Sequence, residues 1–243
     1  MPINSVQELF NQLLESITPH EVKNILSEIG DVTDIGLDNP FGKFKLHWHA
    51  YGDTTSNYST IGLASKPGRS ITERITNAID AILEEHSVKV STKPSSPQAA
   101  VNEWFGRPYS NAESGLFSWK YAEGNYDRKA GLVLSDSGND EAPTVDVIDF
   151  GIGLSPESFP KTILSLQKGN KITKKYLVGA FGQGGSSTLE FSEFVFIFSR
   201  NVQNQNIVSF TLIKQITLSD DYKDNCHAYL AFTNEHGEQT VPS

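Results

Sequence analysis

Residues 73–81 read Glu73-Arg-Ile-Thr-Asn77-Ala-Ile-Asp80-Ala81 and lie inside a segment, 70–87, that has helical periodicity. At about 100° per residue, its apolar side chains share one arc of a helix. These are Ile71, Ile75, Ala78, Ile79 and Ile82. A polar stripe, roughly opposite, holds Glu73, Asn77, Asp80 and Glu84. The pattern predicts an amphipathic helix over 70–87, with Ser70-Ile-Thr-Glu73 as a capping box at its start.

The polar stripe has two interpretations. It is either the solvent-exposed face of an ordinary helix, with Glu73 closing the capping box, or part of a binding site. An amide such as Asn77, one turn from a carboxylate, can hold Mg²⁺ while the carboxylate orients a water molecule. Thr72, Thr76 and Asn77 are poor helix formers, so helicity alone does not explain why these residue types occur here.

A second motif, Asp149-Phe-Gly151-Ile-Gly153, follows a short apolar run that predicts a strand over 144–149. A carboxylate at a strand end can accept a hydrogen bond from an exocyclic amine such as N6 of adenine. The two glycines let the backbone approach a flat ring closely. A plain Asp/Gly turn is the alternative interpretation.

A third motif is the glycine-rich run Gly179-Ala-Phe-Gly182-Gln-Gly184-Gly185-Ser186-Ser187. It is not a Walker-type P-loop, because Gly185 stands where that motif requires lysine. It also lacks the glycine spacing of a dinucleotide fingerprint. As a glycine loop opening a helix over 185–191, it would offer backbone N–H groups and a helix dipole to an anion. Lysines in the preceding segment would supply further positive charge.

The remaining chain predicts a domain that mixes helices and strands. Helices are expected at 5–29 (two), 97–105 and 156–166, and a polar loop is expected over 51–69. A half-exposed strand is expected over 43–50, with Lys43, Lys45, His47 and His49 on its solvent face. Three further strands, 193–199, 206–214 and 226–233, are separated by turn-rich segments and predict an antiparallel meander.

Composition excludes several classes of function. The 243 residues carry a net charge of −9, which argues against nucleic-acid binding by this segment. No apolar run is long enough to span a membrane, and the start of the chain does not look like a secretory signal. A single cysteine, Cys226, excludes an internal disulfide and suits the reducing cytoplasm.

The order and spacing of the three motifs resemble the GHKL ATPase superfamily. That superfamily includes gyrase B subunits, large heat-shock chaperones, sensor histidine kinases and MutL proteins. Glu73, Asn77, Asp80 and Ala81 match its E-x-x-x-N-x-x-D-A motif. Its D-x-G-x-G motif and its G-x-x-G-x-G motif are matched by the second and third motifs. The resemblance covers residues 43–233.

The resemblance implies an α+β fold: a two-layer, Bergerat-type α/β sandwich whose mixed, mostly antiparallel sheet is covered on one face by helices. The domain would span 36–243, preceded by a helical appendage over 1–35. It would carry an insertion at about 88–142 and an ATP lid at about 154–181. We expect the chain to be the N-terminal part of a longer protein.

The resemblance also implies residue roles, with ATP and Mg²⁺ as the ligands. Glu73 would be the general base and Asn77 the metal ligand. Adenine would be read by Asp149 with Gly151 and Gly153. The other nucleotide-binding residues would be Asp80, Lys168, Gly182, Gly184, Gly185 and Ser186.

The implied function is Mg²⁺-dependent ATP binding and hydrolysis, coupled to lid closure and to contacts with a second protomer or a downstream effector. A homodimer formed on ATP binding is one such contact. Three alternatives stay open. The first is a nucleotide-gated interaction module without hydrolysis, the second is a phosphotransfer domain of the histidine-kinase type, and the third is a structural module in which the motifs are degenerate.

Overall fold

The computed structural model describes residues 3–31, 36–64, 67–105, 130–137, 139, 143–166, 174–179, 186–218 and 225–243. These residues form an α+β protein, as predicted, with five α-helices, an antiparallel five-strand sheet and a separate two-strand hairpin. Within the described residues, no helix is both long enough and apolar enough to cross a membrane.

The helices and strands are numbered in chain order. The helices are α1 (Val6–Glu15), α2 (Pro19–Glu28), α3 (Asn57–Ala64), α4 (Pro67–Ser87) and α5 (Pro97–Phe105). The strands are β1 (His47–Ala50), β2 (Ala130–Ser135), β3 (Thr144–Asp149), β4 (Phe194–Ser199), β5 (Ser209–Thr217), β6 (Asn225–Thr233) and β7 (Gln239–Thr240).

The main sheet has the order β1-β6-β5-β4, and β7 pairs with the end of β6. Every strand pair in it is antiparallel, so the predicted meander of β4, β5 and β6 is confirmed. Because side chains alternate along a strand, Leu212 and Leu230 face one side of the sheet, whereas Ile213 and Tyr229 face the other.

Helices α1 and α2 cover the first face of this sheet. Both begin at a capped residue: the Ser5 hydroxyl accepts from the Glu8 N–H, and Thr18 forms a capping box with Glu21. Their apolar side chains share one buried cluster with the sheet, including Leu9, Leu13, Ile25, Leu26, Trp48, Phe210, Leu212 and Leu230. The two predicted helices are confirmed, and the segment predicted as an appendage contributes to the core itself.

The opposite face of the sheet is covered by a second buried cluster. It contains Tyr51, Ile61, Phe159, Leu164 and Leu189 together with the sheet residues Ile213, Tyr229 and Ala231. The Tyr51 hydroxyl donates to the carbonyl of Ile163 over 2.7 Å. Residues 154–166 are therefore anchored in the core, although they are the first part of the predicted lid.

Three local predictions were wrong in this region and near it. The helix expected over 156–166 is only a 3-10 turn, Pro156–Ser158, followed by turns. The helix expected over 185–191 is, in its described part, a turn and a 3-10 segment, Leu189–Phe191. The polar loop expected over 51–69 contains α3 and the first turn of α4.

Strand β1 is shorter and more buried than predicted. His47 is only 3% exposed, and its Nε2 hydrogen-bonds the side-chain oxygen of Gln239 over 2.9 Å. Nδ1 of His49 lies 2.6 Å from Oδ1 of Asp38, and its Nε2 lies 3.3 Å from Oδ1 of Asp53. The expected solvent-exposed histidine face is therefore wrong, because β7 and nearby carboxylates pair with it.

Helix α4 is confirmed, but most of its buried residues lie outside the predicted apolar arc, of which Ala78 alone is buried. Ile71, Ile75 and Ile79 are between 37% and 39% exposed, whereas Ser70 is 2% and Asp80 1% exposed. The helix begins at Pro67, so Ser70 lies inside it and the predicted capping box is wrong. The polar side faces loop backbone, whose N–H and C=O groups need hydrogen-bond partners when they are buried.

Candidate functional site

The first half of α4 contacts the last residue of the glycine-rich run and the residue after it. The Ser70 hydroxyl donates to the carbonyl of Ser187 over 2.7 Å. One turn further along, Nε of Arg74 donates to the hydroxyl of Thr188 over 3.1 Å. Burial lowers the pKa of Arg74, although its interaction with Tyr51 opposes that shift. The start of α4 is thus tied to the far end of the third motif.

Asp80 contacts the residues at the near end of the same motif. Its Oδ1 accepts from the N–H of Val178 over 2.7 Å, and its Oδ2 accepts from the N–H of Gly179 over 3.1 Å. Hydrogen bonds from backbone N–H groups to a carboxylate are among the stronger ones in proteins. Residues 178 and 179 are consequently fixed against the middle of α4.

Two further contacts hold segment 174–179 on α4. Lys174 forms an ion pair with Glu84, and the hydroxyl of Tyr176 donates to Oγ of Ser87 over 3.2 Å. Apolar packing supports them, because the buried Tyr176 and Leu177 share a cluster with Leu83, Ala100 and Trp104. Residues 174–179, which are the described part of the second half of the predicted lid, are thus docked on α4, and the lid boundaries stay a prediction.

The second motif packs directly against Ala81. The N–H of Ile152 donates to the carbonyl of Ala81 over 3.0 Å. A Cβ at Gly151 would lie 2.4 Å from the carbonyl carbon of Ala81 and 2.5 Å from its Cβ. Only glycine fits at this position, because real Cβ atoms essentially never approach other heavy atoms within 3.0 Å.

Gly153 fixes the other side of this loop at the end of β4. Its φ is +65°, and a Cβ there would lie 2.1 Å from the carbonyl oxygen of Arg200. The N–H of Leu154 donates to the hydroxyl of Ser199, and the N–H of Val202 donates to the carbonyl of Ile152. The loop after β3 is therefore held between α4 and the main sheet.

Asp149 lies at the end of β3 with its side chain open to solvent. Its Oδ1 accepts from the N–H of Gly151 over 2.9 Å, and among the described residues no donor reaches Oδ2. Desolvation by the surrounding protein raises the pKa of Asp149, and the bond from Gly151 opposes that shift. The carboxylate is held in one orientation with an acceptor oxygen available to a ligand.

Glu73 and Asn77 lie on α4 between the two tied ends of the third motif. Glu73 is partly exposed, with an oxygen 3.7 Å from Nε of Arg69. At a rise of about 1.5 Å per residue, Glu73 lies about 12 Å along the helix axis from Ala81, and Asn77 lies about halfway. This distance separates the predicted base from the loop that carries Asp149.

A magnesium ion bound through Asn77 stays a prediction. Within the described residues, no group of three or more His, Cys, Asp or Glu side chains could hold a metal ion. Mg²⁺, however, commonly takes one or two protein oxygens and completes its shell with waters and phosphate oxygens. A single amide oxygen from Asn77 is compatible with that arrangement.

The structure thus brings Asp80 and Ala81 of α4 together with Gly179 and Gly151, and it places Asp149 and Gly153 two residues to either side of Gly151. Glu73 and Asn77 lie further along α4, up to about 12 Å from Ala81. Ser186, near the end of the glycine-rich run, lies in a turn. No α-helix begins there, so the prediction that a helix dipole attracts an anion at this point is wrong. The predicted residues Lys168, Gly182, Gly184 and Gly185 lie outside the described residues.

Sequence reasoning missed the anchoring side chains of α4. These are Ser70, Arg74, Glu84 and Ser87, with Lys174 and Tyr176 as partners. A signal was present, because extending the polar stripe by one turn in each direction reaches Ser70 and Ser87. The stripe was interpreted as either solvent-exposed or part of a binding site, whereas Asp80 and Glu84 bind residues of the segment 174–179.

No protein-family profile matches the chain, and neither a curated protein nor a solved structure is significantly similar to it.

Proposed function

We propose that this chain is a GHKL-type domain that binds ATP with Mg²⁺ and hydrolyses it. One observation carries the proposal: two consecutive residues of the first motif contact the other two motifs. Asp80 binds the N–H of Gly179, where the glycine-rich run begins, and Ala81 packs against Gly151 of the D-x-G-x-G loop. Motifs far apart in sequence therefore meet at one place.

The arrangement supports one orientation for the nucleotide. Adenine would lie against Gly151, with its exocyclic amine donating to Asp149. The phosphates would extend towards Asn77 and Glu73, because these residues lie between Ser70 and Asp80, where the two ends of the third motif are tied. A separation of about 12 Å between Glu73 and Ala81 suits a ligand as long as a nucleoside triphosphate.

In this orientation the side chains have separate tasks. Asn77 supplies an oxygen ligand to the metal ion that accompanies the phosphates, and that ion would neutralise charge on the β- and γ-phosphates. Glu73, partly exposed, orients a water molecule towards the γ-phosphate and accepts its proton. The glycines at 151 and 153 keep the adenine side of the site close to the backbone.

Nucleotide state would then be coupled to the segment docked on α4. Lys174 and Tyr176 are held there by polar contacts that can be exchanged for others. We propose that ATP changes this docking, and with it the contacts to a second protomer or a downstream effector. The proposed compartment is the cytoplasm, which suits a single, free and buried cysteine.

Calorimetric titration with a non-hydrolysable ATP analogue and Mg²⁺ tests nucleotide binding. We expect saturable one-to-one binding by the wild type, and binding about 10-fold or more weaker by Asp149→Asn, because one hydrogen bond to a charged group is lost. Asp146→Asn is the matched control, since Asp146 lies on the same strand but projects from its other face. A folded wild type that does not bind the analogue at millimolar concentration refutes the proposal.

Phosphate release tests hydrolysis separately. Glu73→Gln should keep analogue affinity and abolish turnover. Glu85→Gln should change neither, because Glu85 pairs with Lys89, which lies in the turn beyond the end of α4. Binding without turnover by the wild type would favour the interaction module, and transfer of labelled phosphate to a histidine would favour the phosphotransfer domain.

A further inference from the structure

We propose that Asp80 is a positioning residue that fixes Val178 and Gly179 on α4 and thereby sets affinity for the phosphate end of the nucleotide. This inference rests on the proposed function. It assigns Asp80 a task different from direct nucleotide binding, which is what the motif resemblance implied.

The contacts of Asp80 exclude it from the ligand surface. Its side chain is 1% exposed, and each carboxylate oxygen already accepts a backbone N–H, one from Val178 and one from Gly179. A carboxylate that is both buried and occupied in this way cannot also meet a polyanionic ligand. Its charge is used to hold two backbone N–H groups of the segment in place.

Neighbouring contacts make this anchor part of a defined docking of segment 174–179. Glu84 holds Lys174, and Ser87 accepts from Tyr176, so three side chains within two turns of α4 bind one short segment. Leu177 is buried between these polar contacts. The position of Gly179 is therefore determined by α4 rather than by the segment's own conformation.

Along α4 the anchor lies beside Ala81, but its carboxylate binds a different motif. Asp80 accepts from the N–H of Gly179, the first residue of the glycine-rich run that is proposed to bind the phosphates. Adenine recognition depends instead on Asp149 and on Gly151, which is held by Ala81. Loss of the anchor should consequently weaken phosphate binding and leave adenosine binding nearly unchanged, a split that general destabilisation would not produce.

The test uses Asp80→Asn, which keeps the size of the side chain but replaces one acceptor oxygen by a donor. Hydrogen exchange of the peptide covering residues 174–179 is measured without ligand. Affinities for adenosine and for the ATP analogue are measured by ligand-observed NMR and by calorimetry. We expect exchange about 10-fold faster, the analogue bound about 10-fold more weakly, and adenosine affinity within about twofold of the wild type. Glu85→Gln should leave all three values at the wild-type level.

Three results would overturn the inference. Unchanged exchange would show that Asp80 does not anchor the segment. Faster exchange with unchanged analogue affinity would show that the anchor does not position the site. Equal losses for adenosine and the analogue would show a general structural role.

If the proposed function is wrong, the wild type binds neither adenosine nor the ATP analogue. The claim that Asp80 sets nucleotide affinity is then wrong too. The hydrogen-exchange rate of residues 174–179 still shows whether Asp80 anchors that segment. If Asp80→Asn does not fold, Glu84→Gln replaces it. That variant removes a partly exposed ion pair at the other end of the segment, so the analogue should bind about twofold more weakly with adenosine unaffected. Unchanged analogue affinity in Glu84→Gln would overturn the inference.

Discussion

Replacing Gly151 by alanine should destabilise the chain strongly, although it adds a single methyl group. The new Cβ would lie 2.4 Å from the carbonyl carbon of Ala81, 2.5 Å from its Cβ and 2.6 Å from its oxygen. Two of these three atoms belong to helix backbone, which cannot move aside as a flexible side chain would. The loop must therefore move away from α4.

The magnitude follows from two losses. Overpacking of this kind costs about 1–3 kcal/mol, and moving the loop weakens the 3.0 Å hydrogen bond from Ile152 to Ala81, worth about 0.5–1.5 kcal/mol. We expect the free energy of unfolding to fall by about 2–4 kcal/mol. For a chain of this size that corresponds to a decrease in Tm of roughly 4–16 °C.

The assay is urea unfolding without ligand, followed by circular dichroism. Gly131→Ala is the matched control, because Gly131 lies in the adjacent strand β2 and a Cβ there would meet nothing within 4 Å. Its free energy of unfolding should change by less than about 0.5 kcal/mol. If Gly151→Ala were as stable as Gly131→Ala, the close approach of the second motif to α4 would be refuted, and the convergence of the motifs with it.

Three further predictions concern the core beside the site. Asn57→Ala should cost about 3 kcal/mol by denaturant unfolding, because it leaves the carbonyls of Tyr51 and His227 and the N–H of His227 without their buried partner; Ser59→Ala, on the exposed side, should be nearly neutral. Burial lowers the pKa of His227, so the contribution of the neutral side chain to stability is present above pH of about 6.5 and is lost as pH falls through the folded pKa. In denaturant unfolding measured from pH 7.5 to pH 5, the free energy of unfolding of His227→Phe should therefore fall less on the acid side than that of the wild type. Burial raises the pKa of Cys226 to about 11, so a thiol reagent at pH 8 should label the native chain at least about 100-fold more slowly than the chain in urea, and equal rates would contradict its burial.

Much of the sheet could be predicted because its strands carry a strong local pattern. Strand β3 was predicted with its observed bounds, and β4, β5 and β6 within three residues. Helices α1 and α2 were predictable for the same reason, since their caps and apolar spacing agree. Helix α3 was missed because Asn57–Ala64 has no clear apolar face and its first residue is a buried asparagine.

Errors about which face is buried have a common cause. On α4 the isoleucines suggested the buried side, yet the polar side is covered because Asp80, Glu84 and Ser87 meet loop groups from residues 174–179. On β1 the histidines are covered because Gln239 and two carboxylates pair with them. A local pattern identifies an amphipathic element but does not reveal a polar partner that is distant in sequence.

Which residues belong to the candidate site stays a prediction, and the contacts within it could not be predicted from the sequence. Motif spacing placed Glu73, Asn77 and Asp149 in one site, and the structure puts the elements that carry them side by side. Spacing could not show that both oxygens of Asp80 are occupied by backbone N–H groups, because such a partner leaves no signature in side-chain identity.

Helix α4 also determines where the chain can tolerate insertions and deletions. Since each residue turns a helix by about 100°, removing one residue between Arg74 and Asp80 would rotate Ser70 and Arg74 away from Ser187 and Thr188, or Asp80 away from Gly179. No compensating shift restores both sets of contacts. Related sequences should therefore differ freely in the lengths of their surface connections while keeping the number of residues between these positions constant. A search for distant relatives can use this fixed spacing within α4 as a criterion.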